Sequence, residues 1–170
     1  MNWTVLILAL VTLQRLGELV LAWRNTKRLL ARGAFEVGAG HYPLIVAVHA
    51  GWLAALWWLA PGREIVWALI ALFALLQLGR LWVLATLGER WTTRIIVLPG
   101  APLIDHGPFR LVAHPNYAIV ATEIAVLPLA FGLWKIALIF SLFNAAVLAI
   151  RIRAETAALR TPDPDPERLR

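Results

Sequence analysis

Apolar residues dominate this chain in long runs, and the points where the runs break set the number of elements. A helix crossing the ~30 Å hydrocarbon core of a bilayer needs about 20 mostly apolar residues. Five stretches answer to that description: Trp3–Trp23, Tyr42–Ala60, Ile65–Leu87, Pro115–Phe131 and Trp134–Ile152. Gln14, Arg15 and Glu18 interrupt the first. Without a basic lead-in or a clear small-residue cleavage site, it is read as a retained helix rather than a signal peptide. Gly132 and a neighbour or two are all that separate the last two, which forces an antiparallel hairpin. The expected fold is all-α: a polytopic integral membrane protein with about five transmembrane helices and a C-terminal helical hairpin. One domain over residues 1–160 is expected. In the tail, TPDPDPERLR (161–170), prolines alternate with charges, so it is expected to be extended and solvated.

Composition agrees with the pattern. The chain is 61% hydrophobic with a mean hydropathy of +0.73, where soluble domains average about 45–50% apolar. That excess is too large for the core of one small soluble domain. The net charge of +6 raises nucleic acid as a partner, but its placement argues for the membrane instead. Arg24, Lys27, Arg28 and Arg32 follow the first helix. Arg90, Arg94 and Arg110 follow the third, and Arg151, Arg153, Arg160, Arg168 and Arg170 close the chain. Arg63 and Lys135 alone sit on the opposite side. Basic residues in short loops mark the cytoplasmic face, so the N-terminus is expected outside and the C-terminus inside a bacterial inner membrane. The absence of cysteine excludes disulfides and thiolate metal sites, and no metal site is expected.

Ionisable residues inside spanning helices are costly and ask for individual reasons. Arg15 and Glu18 stand three apart and can pair on one face; they serve either as a packing ion pair or as a cofactor or substrate contact. Gln77 and Arg80 repeat the spacing. In the fifth helix Asn144, Arg151 and Glu155 fall within about 40° of arc, which suggests the wall of a cavity. Arg151 and Glu155 are also an i, i+4 pair. Pro115 suits the first position of the fourth helix, where a missing N–H costs nothing. His114 is then held extended at the rim, and Tyr117 lies in the first turn. Glu123 lies about two turns deep, where an unpaired carboxylate is expensive; pairing with Arg80 or Asn144 would relieve it. The connection GERWTTRIIVLPGAPLIDHGPFR is long for a membrane loop, and its apolar IIVLP argues for packing, as in a binding loop or lid.

GPFRLVAHPNY, followed by NAAVLAIRIRAETAAL, resembles the signature of the isoprenylcysteine carboxyl methyltransferase family. That signature runs Gly-Pro-aromatic, then Arg-His-Pro-x-Tyr, then a C-terminal helix ending in Arg and paired glutamates. The core resemblance covers roughly Leu87 to Leu159, and the whole chain looks like a compact bacterial branch of the family. The resemblance implies an S-adenosylmethionine-dependent O-methyltransferase in the membrane. Its acceptor would be lipophilic, either an isoprenylcysteine-type carboxylate or the hydroxyl of an alkylpyrone or phenolic lipid. It places Gly107, Pro108, His114, Pro115 and Tyr117 at the cofactor, and Arg110 is added there as a candidate contact. It implies that Glu123, Asn144, Arg151 and Glu155 line or orient the site near the substrate, with Glu123, Arg151 and Glu155 the catalytic candidates. The in-helix charges Arg15, Glu18 and Arg80, read from the residues themselves, join Asn144 as candidate substrate contacts. Ala113 stands where the family has arginine, and Thr156 where it has the second glutamate; Arg110, Arg94 or Arg151 are the candidates to substitute for the arginine. An NADPH-dependent reductase of the sterol type is an alternative, though this chain is far shorter. A transporter or membrane scaffold is another, but secondary transporters commonly show inverted repeats and none is evident here.

Overall fold

The structure, a computed structural model, describes residues 2–160, with side chains through Thr156; the expected tail at 161–170 lies outside the described residues. Five α-helices run in chain order as α1 (Trp3–Ala31), α2 (Tyr42–Leu59), α3 (Trp67–Leu87), α4 (Pro115–Ala130) and α5 (Trp134–Arg160). Two three-residue strands, β1 (Phe35–Val37) and β2 (Ile95–Val97), pair antiparallel with Val37 opposite Ile95. The chain is an all-α polytopic membrane protein: α1, α2, α3 and α5 are long and apolar enough to span a bilayer. With 16 residues, α4 reaches only about 24 Å at 1.5 Å per residue.

Packing explains how a short helix is accommodated. Val120, Glu123, Ile124, Val126, Leu127 and Ala130 of α4 are all buried, against α3 on one side and α5 on the other. It is surrounded by protein more than by lipid, so its length need not match the bilayer. Pro128 sits inside it and has no N–H to give the carbonyl four residues back. That carbonyl, Ile124 O, instead accepts from the indole Nε1 of Trp52 at 3.1 Å, which ties α2 to α4. Gly132, at φ +69°, turns the chain directly into α5 and closes the expected hairpin.

Two helices outrun their apolar segments. The apolar run of α1 stops at Trp23, but the helix continues to Ala31. Ala22, Asn25 and Leu29 remain buried at helical spacing, and Asn25 Nδ2 donates to the carbonyls of Gly88 (3.1 Å) and Trp91 (2.9 Å). Arg24, Lys27 and Arg28 are therefore helical rather than in a loop. Likewise α5 passes Ile152 and reaches Arg160, and Arg151 is buried inside it. Hydropathy locates where a helix leaves apolar surroundings, which need not be where its backbone stops.

The long connection between α3 and α4 is packed against the basic end of the bundle. Its β2 joins β1, Val37 and Ile95 pack on Ala154 of α5, and Glu36 Oε2 lies 2.8 Å from Arg94 Nη1. That carboxylate pushes the Arg94 guanidinium above its usual pKa. Gly107 lets the segment lie against α3. Its φ is +61°, and a Cβ there would stand 2.7 Å from Thr86 Oγ1. Only glycine fits that approach without strain.

Candidate active site

Halfway along the bundle, charged side chains of three helices close on one another. From α3, Arg80 holds Glu18 of α1 with two bonds, Nε to Oε1 at 2.7 Å and Nη2 to Oε2 at 2.8 Å. Its Nη1 reaches Glu123 Oε2 of α4 at 2.9 Å. Arg15 completes the set, 2.8 Å from Glu123 Oε2 and 3.1 Å from Glu18 Oε2. Gln77 donates to Glu123 Oε1 at 2.8 Å, and Gln14 bridges Gln77 and Glu18. Two arginines and two glutamates thus balance, with the carboxylate oxygens hydrogen-bonded, which is how buried charge becomes tolerable. Glu123, only 2% exposed, pairs with Arg15 and Arg80 and not with Asn144.

Nearer the basic end, a second cluster forms around Tyr117. Its hydroxyl donates to Glu155 Oε2 and accepts from Arg151 Nε at 2.8 Å. Arg151 Nη1 donates to the Thr93 carbonyl. Arg151 and Glu155, expected as a direct i, i+4 pair, meet instead through the tyrosine. The His114 ring stacks on Tyr117 with centroids 5.3 Å apart and lies 4.0 Å from Glu155. These positions follow from local structure: Pro115 starts α4, so His114 sits at its mouth and Tyr117 in its first turn.

Two cavities flank this cluster. One, of about 310 Å³, is mainly apolar and runs between α1, α2, α4 and α5, with Arg15, Glu18, Arg80 and Asn144 on its wall. Leu16 and Leu19 of α1 and Val46 and Ala50 of α2 also line it and are exposed on the outer surface. The other, of about 150 Å³, lies under the α3–α4 connection and is lined by Arg90, Arg94, His114, Pro115 and Glu155 among others. Both share Trp91, Thr92, Asn116, Tyr117 and Arg151. Of the other residues singled out in the motif, Gly107 packs on α3, Pro108 is buried away from both cavities, and Arg110 is exposed.

Several wall residues carry no signal in the motif. Trp91, Thr93, Tyr42 and His49 lie outside the motif. Asn116 is its variable position. Yet among the described residues Trp91 Nε1 and Asn116 Oδ1 are buried without a protein partner, and buried polar atoms are rarely left so. A donor and an acceptor stand unmatched where the cavities meet.

The profile of the isoprenylcysteine carboxyl methyltransferase (ICMT) family matches residues 69–161, from α3 to the end of the chain's fifth helix. This span is more than half of the chain and contains the whole Tyr117 cluster. The chain belongs to the isoprenylcysteine carboxyl methyltransferase family. A Bacillus subtilis (strain 168) protein, YpbQ, described as uncharacterized, is 35% identical over 168 residues, covering 91% of this chain and 95% of its own. A Haemophilus influenzae protein, also described as uncharacterized, is 28% identical over 153 residues, covering 85% and 88% respectively. No solved structure matches. Family and spanning helices together make this an integral-membrane methyltransferase. Where the ICMT motif has arginine and this chain Ala113, the structure sets Arg90, Arg94 and Arg151 on the polar cavity, while Arg110 stays outside it.

Proposed function

We propose that the protein transfers a methyl group from S-adenosylmethionine to an oxygen of a lipophilic acceptor. The acceptor is an isoprenylcysteine-type carboxylate or the hydroxyl of an alkylpyrone-like or phenolic lipid. The observation that carries this reading is the Tyr117–Arg151 bridge, which forms a common wall between a small polar cavity and a larger apolar one. A transferase for a water-soluble donor and a greasy acceptor needs such a partition.

The residues present suit the cofactor. Arg90 offers a guanidinium to its carboxylate, Glu155 a carboxylate to its ammonium, and the His114, Tyr117 and Trp91 rings offer faces to a sulfonium. The unmatched Trp91 N–H and Asn116 carbonyl supply a donor and an acceptor. When bound, S-adenosylmethionine would supply an electrophilic methyl group and leave as the neutral thioether. A carboxylate acceptor is already ionised, whereas a hydroxyl would give up its proton, for which His114 is the candidate acceptor. The chain's own contribution is positioning and exclusion of water. Arg151, fixed by Tyr117 and Thr93, holds positive charge beside the acceptor oxygen. Leu16, Leu19, Val46 and Ala50 leave a lateral way in from the bilayer. Glu123 does not line either cavity; it acts through Arg15 and Arg80 as a positioning residue. The basic end faces the cytoplasm of a bacterial inner membrane, so the cofactor enters there.

Binding of labelled S-adenosylmethionine to purified, folded protein tests the reading, and absence of binding would sink it. His114→Ala and Glu155→Ala are expected to lower methyl transfer by about 100-fold or more, given what small misplacements cost, while membrane insertion is retained. Full activity in both variants would refute the assignment. Comparing lipids of host cells with and without the gene, for masses raised by one methylene, would identify the acceptor.

A further inference from the structure

One polar feature of the apolar cavity has no part in the transfer reaction. His49 lies in the middle of α2, a helix otherwise lipophilic at that depth, and its side chain lines the cavity. Its Nδ1 is 2.8 Å from the carbonyl of Ile45. A carbonyl can only accept, so Nδ1 carries the hydrogen, and Nε2 of the neutral ring is left with a free lone pair. No protein donor meets that lone pair among the described residues.

On α5, which packs directly against α2, Asn144 is 3% exposed and also lines the cavity. None of the hydrogen bonds among the described residues uses its amide. The two residues share a depth. The helices run antiparallel, tied where a Cβ at Gly51 would stand 3.5 Å from Phe140 and one at Gly38 3.5 Å from Ala154. Counting 1.5 Å per residue from the Gly51–Phe140 tie places His49 and Asn144 within about 3 Å of one another along the axis. Arg151 stands seven residues beyond Asn144, about 10 Å toward the basic end.

The charges around this pair decide what it takes. Arg15, Glu18 and Arg80 share the cavity wall but are committed to one another and to Glu123. Among the described residues, the remaining cation on this wall, Arg151, stands about 10 Å away, so none is left to hold a carboxylate beside His49 and Asn144. What remains is an acceptor at His49 Nε2 and an amide that can donate or accept. A neutral hydroxyl satisfies both, donating to the imidazole and accepting from the amide.

We propose that His49 and Asn144 form a polar subsite for a neutral hydroxyl on the acceptor lipid, about 10 Å along its length from the oxygen that takes the methyl. The acceptor is therefore a lipid with a second oxygen function partway along its apolar body. The proposal rests on the reading of the apolar cavity as the acceptor site.

Purified protein in lipid nanodiscs, titrated with 1-dodecanol and with n-dodecane, tests it through the emission of the tryptophans on the wall. The alcohol is expected to bind about 3- to 10-fold more tightly, the worth of a neutral hydrogen bond. It is also expected to move the Nε2 nitrogen resonance of His49, which the alkane leaves in place. His49→Phe and Asn144→Leu should each reduce the preference to less than about twofold, and His49→Gln, which keeps an acceptor oxygen, should restore part of it. Equal affinity for the two probes, a preference that survives in both variants, or an unmoved resonance (an ordered water only) overturns the subsite. Labelled S-adenosylmethionine is measured on the same samples. Loss of cofactor binding in the unaltered protein would count against the methyl-transfer reading, whereas the alcohol preference reports on the subsite alone.

Discussion

Glu123 holds its carboxylate within an apolar bundle, 2% exposed, where ionisation is costly without partners. A carboxylate two turns into an apolar helix demanded an explanation, and the structure gives one in Arg15 and Arg80, 2.8 Å and 2.9 Å away. Glu123→Gln leaves two guanidinium groups against one carboxylate. Breaking a buried ion pair on one side costs about 3–5 kcal/mol, so the thermal midpoint in detergent should fall sharply. Removing charge in balance, with Arg15→Met and Glu123→Met together, leaves Arg80 and Glu18 paired and should cost less than Glu123→Gln alone. If the double variant is the less stable, the network is not held by charge balance. Arg15, Glu18, Arg80, Arg151 and Glu155 were legible from the sequence because charge in an apolar run is conspicuous. Trp91, Asn116 and His49 were not, because a tryptophan in a loop and an asparagine or a histidine in a helix carry no periodic signal. What distinguishes them is an unmatched polar atom, and that exists only after folding.

At the scale of elements, five helices and a hairpin could be read from hydropathy, together with Pro115 as a helix start. The ends of α1 and α5 could not, since both continue as helix after the apolar run is over. Nor could the β1–β2 ribbon, whose partners are 58 or more residues apart as Val37 and Ile95 pair. Local pattern says nothing about a pairing at that separation. The Trp52 tie is another non-local device, since it repairs a vacancy that Pro128 makes. Trp52→Phe keeps an aromatic ring in the core but leaves Ile124 O unmet. The expected loss is about 1–3 kcal/mol, the cost of an unsatisfied buried acceptor, read by thermal unfolding. A double change with Pro128→Ala restores a backbone donor and should recover part of it. A Trp52→Phe variant as stable as the parent would show that the Ile124 carbonyl finds another partner.

For the molecule as a whole, the proposed orientation follows from the distribution of arginines and lysines. The absence of cysteine makes it simple to check, because any introduced thiol is the sole one. Leu111, at the basic end and 75% exposed, should resist a membrane-impermeant maleimide in intact cells when replaced by cysteine. Arg63→Cys, in the turn between α2 and α3, should react. The reverse pattern would turn the protein over and put the cofactor entrance on the wrong side.

The balanced arginine and glutamate network has an electrical consequence. A membrane potential acts on a protein through net charge, with about 2.3 kcal/mol per elementary charge crossing 100 mV. Two cations and two anions locked together sum to zero, so the field has nothing to pull. Turnover in proteoliposomes should stay constant when a diffusion potential is imposed or collapsed. A dependence on voltage would mean that one member of the set moves alone during the cycle. As built, the chamber has its most polar chemistry in the middle of a biological capacitor and is indifferent to whether that capacitor is charged.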